Sequence, residues 1–249
     1  MGSPYQYVFR RREVKYLLTP EQLDAVRAEM APHMRPDEHG LSTLCNVYFD
    51  TPDHLLIRRS LEHPLYKEKL RVRSYGVASP DGPAFVEIKK KYRRTVYKRR
   101  VATTERQAMA CLTGGEEALV PGQIAREVGF CLERYRPLVP SVHLSYEREA
   151  FFGRDDREFR ITFDDVILWR DHDLSLTAGV YGEPLLPEGR VLMEVKAGGA
   201  YPMWASAMLS EHGIFPARFS KYGLAYQRME ARRRGAGAGG TTVAAGRCA

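Results

Sequence analysis

Lys67, Lys69, Arg71 and Arg73 occupy every second position of the stretch Tyr66–Tyr75. Residues two apart on an extended strand share a face, so the four cations point one way while Leu70 and Val72 point the other. On a helix the same four would spread around most of the circumference. Like charges aligned on one sheet face repel each other, a cost that an anion of several charges would offset. The pattern also suits a solvated edge strand, where lysines guard against aggregation. On this stretch alone the two readings stand level.

The spacing recurs along the chain. Arg11/Glu13/Lys15, Glu87/Lys89, Lys98/Arg100, Arg160/Asp164 and Glu194/Lys196 repeat it, several with apolar residues between the charges. An ordinary antiparallel sheet buries its apolar face and wets the other. Here the polar faces are too uniformly Lys, Arg and Glu for solvation alone. A closed barrel with a charged interior, and helices packed on its apolar exterior, satisfies every strand at once. An open sheet with a wet charged face is the weaker alternative.

The elements that must position these residues can be read in outline. Strands are expected over 7–18, 44–50, 66–75, 85–91, 95–102, 142–151, 158–164, 166–170 and 190–197. Thr19-Pro20-Glu21 supplies a capping hydroxyl, a proline at the first helical position and an acid in the first turn. Thr51-Pro52-Asp53 promises a second helix, through Arg59. Further helices are predicted over 104–112, 121–135, 202–212 and 220–234. Residues 1–234 are expected to form a single domain. The Gly/Ala/Thr-rich stretch 235–249 is expected to be a disordered tail.

Composition narrows the partner. The 249 residues carry a formal charge of +7, a modest basic bias that favours an anionic partner. Cys45, Cys111, Cys131 and Cys248 form no CxxC or Cys/His cluster, which suggests reduced thiols. No run approaches membrane-spanning length, so a cytoplasmic protein without direct membrane insertion is expected. Any transport of product across a membrane would fall to a separate membrane partner. Walker A, kinase glycine-loop and H-R-D sequences are absent. The run Lys89-Lys90-Lys91-Tyr92-Arg93-Arg94 lacks an accompanying nucleic-acid motif, and no nucleic-acid partner is expected.

The ordered set R-x-E-x-K (Arg11, Glu13, Lys15), Y-F-D-T (Tyr48 to Thr51), K-L-R-V-R-S-Y-G (Lys69 to Gly76), F-V-E-I-K (Phe85 to Lys89), Y-E-R (Tyr146 to Arg148), F-R-I-T-F-D (Phe159 to Asp164), M-E-V-K (Met193 to Lys196) and F-S-K-Y (Phe219 to Tyr222) resembles one family. It is the VTC-type polyphosphate polymerase domain, a branch of the triphosphate tunnel metalloenzymes that also include the CYTH proteins. The resemblance implies an α+β fold: a closed, eight-stranded antiparallel tunnel with helices outside. It also implies transfer of the γ-phosphate of ATP, or another nucleoside triphosphate, onto inorganic polyphosphate with Mn2+ or Mg2+. By motif position Lys15, Arg71, Arg73, Lys89, Arg148 and Lys221 would be catalytic phosphate contacts. Arg59, Lys69, Lys98, Arg160 and Lys196 would be further phosphate ligands. Glu194 would be the metal ligand, with Glu13 and Glu87 as additional candidates.

The broader superfamily pattern E-x-E-x-K has Arg11 in place of its first acid, a change toward the more basic, polymerase-like tunnel. Two alternatives share this fold. One is a triphosphatase or polyphosphatase; the other is a non-catalytic module that binds polyphosphate or inositol phosphates.

Overall fold

The computed structural model describes residues 12–93, 95–114, 119 and 121–238. Arg11 and the rest of the first predicted strand before Arg12 lie outside the described residues. The strands are β1 (Arg12–Leu18), β2 (Met34–Pro36), β3 (Ser42–Asp50), β4 (Tyr66–Tyr75), β5 (Pro83–Tyr92), β6 (Thr95–Thr104), β7 (Val139–Gly153), β8 (Arg160–Arg170), β9 (Glu183–Pro184) and β10 (Val191–Ala197). The helices are α1 (Pro20–Met30), α2 (Leu55–Leu61), α3 (Glu105–Leu112), α4 (Gln123–Arg134), α5 (Met203–Glu211) and α6 (Lys221–Ala238). The fold class is α+β, built on one antiparallel sheet.

The main hydrogen-bonded path runs β1-β10-β8-β7-β3-β4-β5-β6. Six ladder steps separate β1 from β5, about 29 Å on a flat sheet at the usual strand spacing. Yet Glu13 on β1 and Lys89 on β5 approach to 3.5 Å. The sheet must therefore roll until its two ends face each other. Closure differs from expectation in one respect: among the described residues no ladder joins β1 to β6, so side chains span the seam. Two short strands also join the eight of the path, β2 beside β7 and β9 beside β8.

The alternating sequence decides which face looks inward. Val47, Phe49, Leu70, Val72, Val86 and Ile88 point outward and pack with Ala108 and Leu112 of α3 and Val128 and Cys131 of α4. Tyr16, Leu18, Ile161, Phe163, Met193 and Val195 do the same against Val26 and Met30 of α1 and Ala205 and Met208 of α5.

Helix α6 departs from the helices-outside expectation. Its Tyr222, Ala225 and Met229 pack with Tyr48, Val142, Leu144, Ile167, Trp169 and Leu192. Leu192 and Leu144 share their strand face with the charged Glu194 and Arg148. At this end the concave face turns apolar, and α6 covers it. The helix also runs past the expected boundary at 234; residues 239–249 lie outside the described residues.

Two local readings change. Helix α2 starts at Leu55 rather than at Pro52, after His54 in the left-handed region at φ 57°. Asp50, at the end of β3, accepts the amides of Leu56 and Ile57 at 2.8 and 3.0 Å and so supplies the cap from a distance. The strands expected over 158–164 and 166–170 are one, β8, with a register shift opposite Ser145 and Glu147 and Val166 at φ 45°.

Candidate functional site: a charged concave face

Antiparallel register brings the period-two charges side by side. Lys15 stands opposite Glu194 across β1 and β10, and Glu13 opposite Lys196. Arg148 stands opposite Asp164 across β7 and β8, and Arg71 opposite Glu87 across β4 and β5. The result is two charged clusters on facing walls.

Glu194 is the hub of the first. Lys15 lies 2.9 Å from its carboxylate, Lys196 3.3 Å, and Arg148 and Lys221 3.7 Å each. Asp164, fully buried, accepts from Arg148 at 2.6 Å and from Lys221. Burial pushes the Glu194 carboxyl upward, but Lys15, Lys221, Lys196 and Arg148 outweigh it and hold the group well below the usual carboxylate range. Burial likewise opposes charge on Lys15, and Glu194 and Glu13 overcome it, so its pKa is raised. For Lys196 burial wins and its pKa is lowered.

Glu87 is the hub of the second cluster. Arg71 donates to it from two nitrogens at 2.8 and 2.6 Å, Lys98 lies 3.3 Å away and Arg73 3.8 Å. Arg71 also donates to the Tyr48 hydroxyl at 2.8 Å; Arg73 donates to Asn46 Oδ1 at 2.8 Å and to the Tyr146 hydroxyl at 3.1 Å. Burial, followed by the neighbouring Lys89, Lys15, Lys67 and Arg71, pushes Lys69 down to about 7. Burial outweighs Glu87 at Lys98 and brings it to about 8.

Tyr146 links the clusters. Besides accepting from Arg73, it has Lys221 and Arg148 over its ring at 4.5 and 5.2 Å. Burial raises its hydroxyl, but Arg73, Arg148 and Lys221 together lower it to about 8. Glu13 makes the second link, between Lys15 at 3.9 Å and Lys89 at 3.5 Å.

Most of the residues expected from the sequence meet on this face. Lys15, Lys69, Arg71, Arg73, Lys89, Lys98, Arg148, Lys196 and Lys221 surround Glu13, Glu87, Asp164 and Glu194. Arg160 stands further along, opposite Lys196 and 4.0 Å from Asp37. Arg59, exposed on the short helix α2, lies outside the two clusters and lines a small cavity with Tyr66, Lys67 and Arg134. Lys221 and the preceding serine serve two ends. Ser220 accepts the Gly223 amide at 3.1 Å at the start of α6, and also accepts Lys69 Nζ at 3.1 Å.

Sequence reasoning passed over several members. Asp164 shares the spacing of Arg160 and Thr162, so alternation contained its signal. Tyr48 and Tyr222 stack, with ring centroids 4.5 Å apart. However, Tyr48 also accepts from Arg71, and Tyr222 donates to Asp50 at 2.8 Å. His143 is fully buried in β7 and His54 nearly so at the start of α2.

The donors suit a hard divalent cation only in part. Among the described residues no three His, Cys, Asp or Glu side chains are grouped to hold a metal. Mg2+ commonly takes one or two carboxylates and completes its shell with phosphate and water. Glu194 could serve in that way by exchanging ion pairs with Lys15, Lys196, Arg148 and Lys221 for the ion. Glu87, enclosed by Arg71, Arg73 and Lys98 on the other wall, would likewise have to give up those pairs.

The chain belongs to the VTC domain family, whose sequence profile matches residues 10–230. Solved structures share the fold. A Bacillus halodurans protein named for adenylate cyclase aligns with TM-score 0.53 and 14% identity over 86% of this chain and 96% of its own. A Hippeastrum protein named for adenylyl cyclase, and reported with a dominant triphosphatase activity, aligns with TM-score 0.53 and 14% identity over 87% of this chain and 95% of its own. A search of curated protein sequences gave no significant match. No helix among the described residues is long and apolar enough to cross a membrane.

Proposed function

We propose that this protein moves the γ-phosphoryl group of a nucleoside triphosphate, ATP in the first instance, onto the end of a polyphosphate chain. The supporting observation is the unbalanced concave face, where cations outnumber carboxylates by more than two to one. Surplus charge of that kind, partly withdrawn from water, needs a polyanion to balance it. Guanidinium groups offer forked donors that match phosphate oxygens, and ammonium groups act as point charges beside them.

In the transfer, the bond from the γ-phosphorus to the bridging oxygen breaks and the nucleoside diphosphate leaves with that oxygen. A new bond forms from the same phosphorus to a terminal oxygen of the acceptor chain. That acceptor oxygen is already ionised, so no general base is required. This suits two clusters built from Lys, Arg, Asp, Glu and Tyr, with no histidine bonded to either among the described residues. Arg148, Lys221 and Lys15 would neutralise charge on one phosphate group, and Arg71, Arg73 and Lys98 on the next. Mn2+ or Mg2+ held by Glu194 would neutralise further phosphate charge.

Incubation of the purified protein with ATP and Mn2+ should yield ADP and long-chain polyphosphate. Release of orthophosphate alone would overturn this reading in favour of a triphosphatase, the activity reported for the Hippeastrum protein of the same fold. Anion binding with no turnover of any triphosphate would reduce the protein to a binding module.

A further inference from the structure

Three successive like-charge pairs stand on the concave face. Lys67 is opposite Lys91 and Lys69 opposite Lys89 across β4 and β5, while Lys89 is opposite Lys98 across β5 and β6. Directly opposed like charges destabilise a sheet. Deeper in, acids relieve them: Glu87 serves Lys98, and Glu13 serves Lys89. Beyond that level the acids stop. Lys67 donates to the Ser60 carbonyl at 3.1 Å and Lys69 to the Ser220 hydroxyl at 3.1 Å. Among the described residues neither has a carboxylate in ion-pair reach.

Protection of a sheet edge does not explain Lys89 and Lys91, because β5 is paired to β4 and β6 at both positions, whereas β4 has lost its β3 partner beyond Leu70. The last opposed pair of the ladder is Tyr66 and Tyr92, 37% and 47% exposed with side chains on the outer face, so the lysine row ends at the rim of the sheet. From Arg73 to Lys67 the strand covers roughly 20 Å, more than one triphosphate spans.

We propose that Lys67, Lys69, Lys89 and Lys91 form an extension subsite for the part of a linear polyphosphate beyond its first three phosphates, with the chain passing out over the rim where the β4–β5 ladder ends. The inference rests on the reading of the deeper face as a triphosphate site. Phosphates spaced along the strands would stand between the opposed lysines and turn each repulsion into two attractions.

The test compares two ligands, inorganic tripolyphosphate and long-chain polyphosphate, by calorimetric titration of the whole chain. In the Lys67→Ala/Lys91→Ala variant, tripolyphosphate affinity should stay within about twofold of wild type. Long-chain affinity should fall by about tenfold or more, with a shallower salt dependence because fewer counterions are released. Lys67→Arg/Lys91→Arg should restore long-chain binding. Equal losses for both ligands, no loss for either, or failure of the arginine pair to restore binding would overturn the subsite. If wild type fails to bind tripolyphosphate, the deeper reading falls first and the extension falls with it.

Discussion

Arg73 and Lys67 began as equivalent members of one period-two row, and the structure separates them. Arg73 is 4% exposed and bonded to Asn46 and Tyr146, whereas Lys67 reaches only a backbone carbonyl near the rim. Arg73→Ala should therefore lower turnover by about a hundredfold, and Lys67→Ala by far less with ATP as the only substrate. Equal losses in steady-state assays would mean that the concave face is not the site. Lys69 gives a pH signature. Its folded pKa, about 7, lies below its ordinary 10.5, so the unfolded chain holds more protons in that window. Stability of the ligand-free protein should then rise with pH between those values. A bound polyanion favours the charged lysine, so tripolyphosphate binding near pH 8 should take up protons. Titration in buffers of different ionisation enthalpy would detect this, and a zero buffer dependence would refute it. The carboxylates run the other way. Glu194 and Asp164 are held low by their cations, so their contribution is present above about pH 4 and is lost as pH falls through their folded values. The melting temperature should hold down to that range and drop below it.

Among the elements, β3, α2 and α6 work as a unit through Asp50. This buried carboxylate accepts the amides of Thr51, Leu56 and Ile57 and the hydroxyl of Tyr222. Tyr222 in turn stacks on Tyr48, which accepts from Arg71. Asp50 is thus a positioning residue for Arg71, reached through two tyrosines. Asp50→Ala should cost about 3 kcal/mol, since it strips several donors of one charged acceptor. Tyr222→Phe should cost about 1 kcal/mol and raise the KM for ATP more than it lowers kcat. A kcat loss alone would place Tyr222 elsewhere in the reaction. Strand alternation made the charged faces of β1, β4, β5, β8 and β10 legible in the sequence, because a period of two needs only local information. Asp50 escaped, because its partners lie at positions 56, 57 and 222 and nothing local announces them. The place of α6 escaped for the same reason. Tyr222, Ala225 and Met229 recur at helical spacing, which marks a buried face without saying against which side of the sheet. Arg59 lies outside the two clusters because distance along the chain from a motif says little once a short helix intervenes.

At the scale of the molecule, a rolled sheet concentrates charge that a flat one would disperse. Breaking a buried ion pair on one side typically costs 3–5 kcal/mol, and Glu194 balances four cations at once. Glu194→Gln should lower stability by about 3 kcal/mol in buffer free of multivalent anions. Tripolyphosphate should restore much of it, by the mass-action rule that a ligand binding only the folded state stabilises it. The same variant should bind tripolyphosphate at least as tightly as wild type while losing metal-stimulated turnover. Retained turnover would show that Glu194 is a spacer between cations and no metal ligand.

The seating of α6 also has a consequence for biosynthesis. Every strand of the sheet precedes this helix in the sequence, yet the apolar end of the concave face, with Trp169, Ile167 and Leu144, has α6 as its cover. The strands therefore leave the ribosome ahead of their last packing partner, and the growing chain carries an uncovered aromatic patch of the kind that recruits chaperones or aggregates. Ser220 and Lys221 arrive with that helix. Until they do, Asp164 lacks one of its two cations and Lys69 lacks its hydroxyl partner, so in a nascent chain the proposed phosphate site is unfinished.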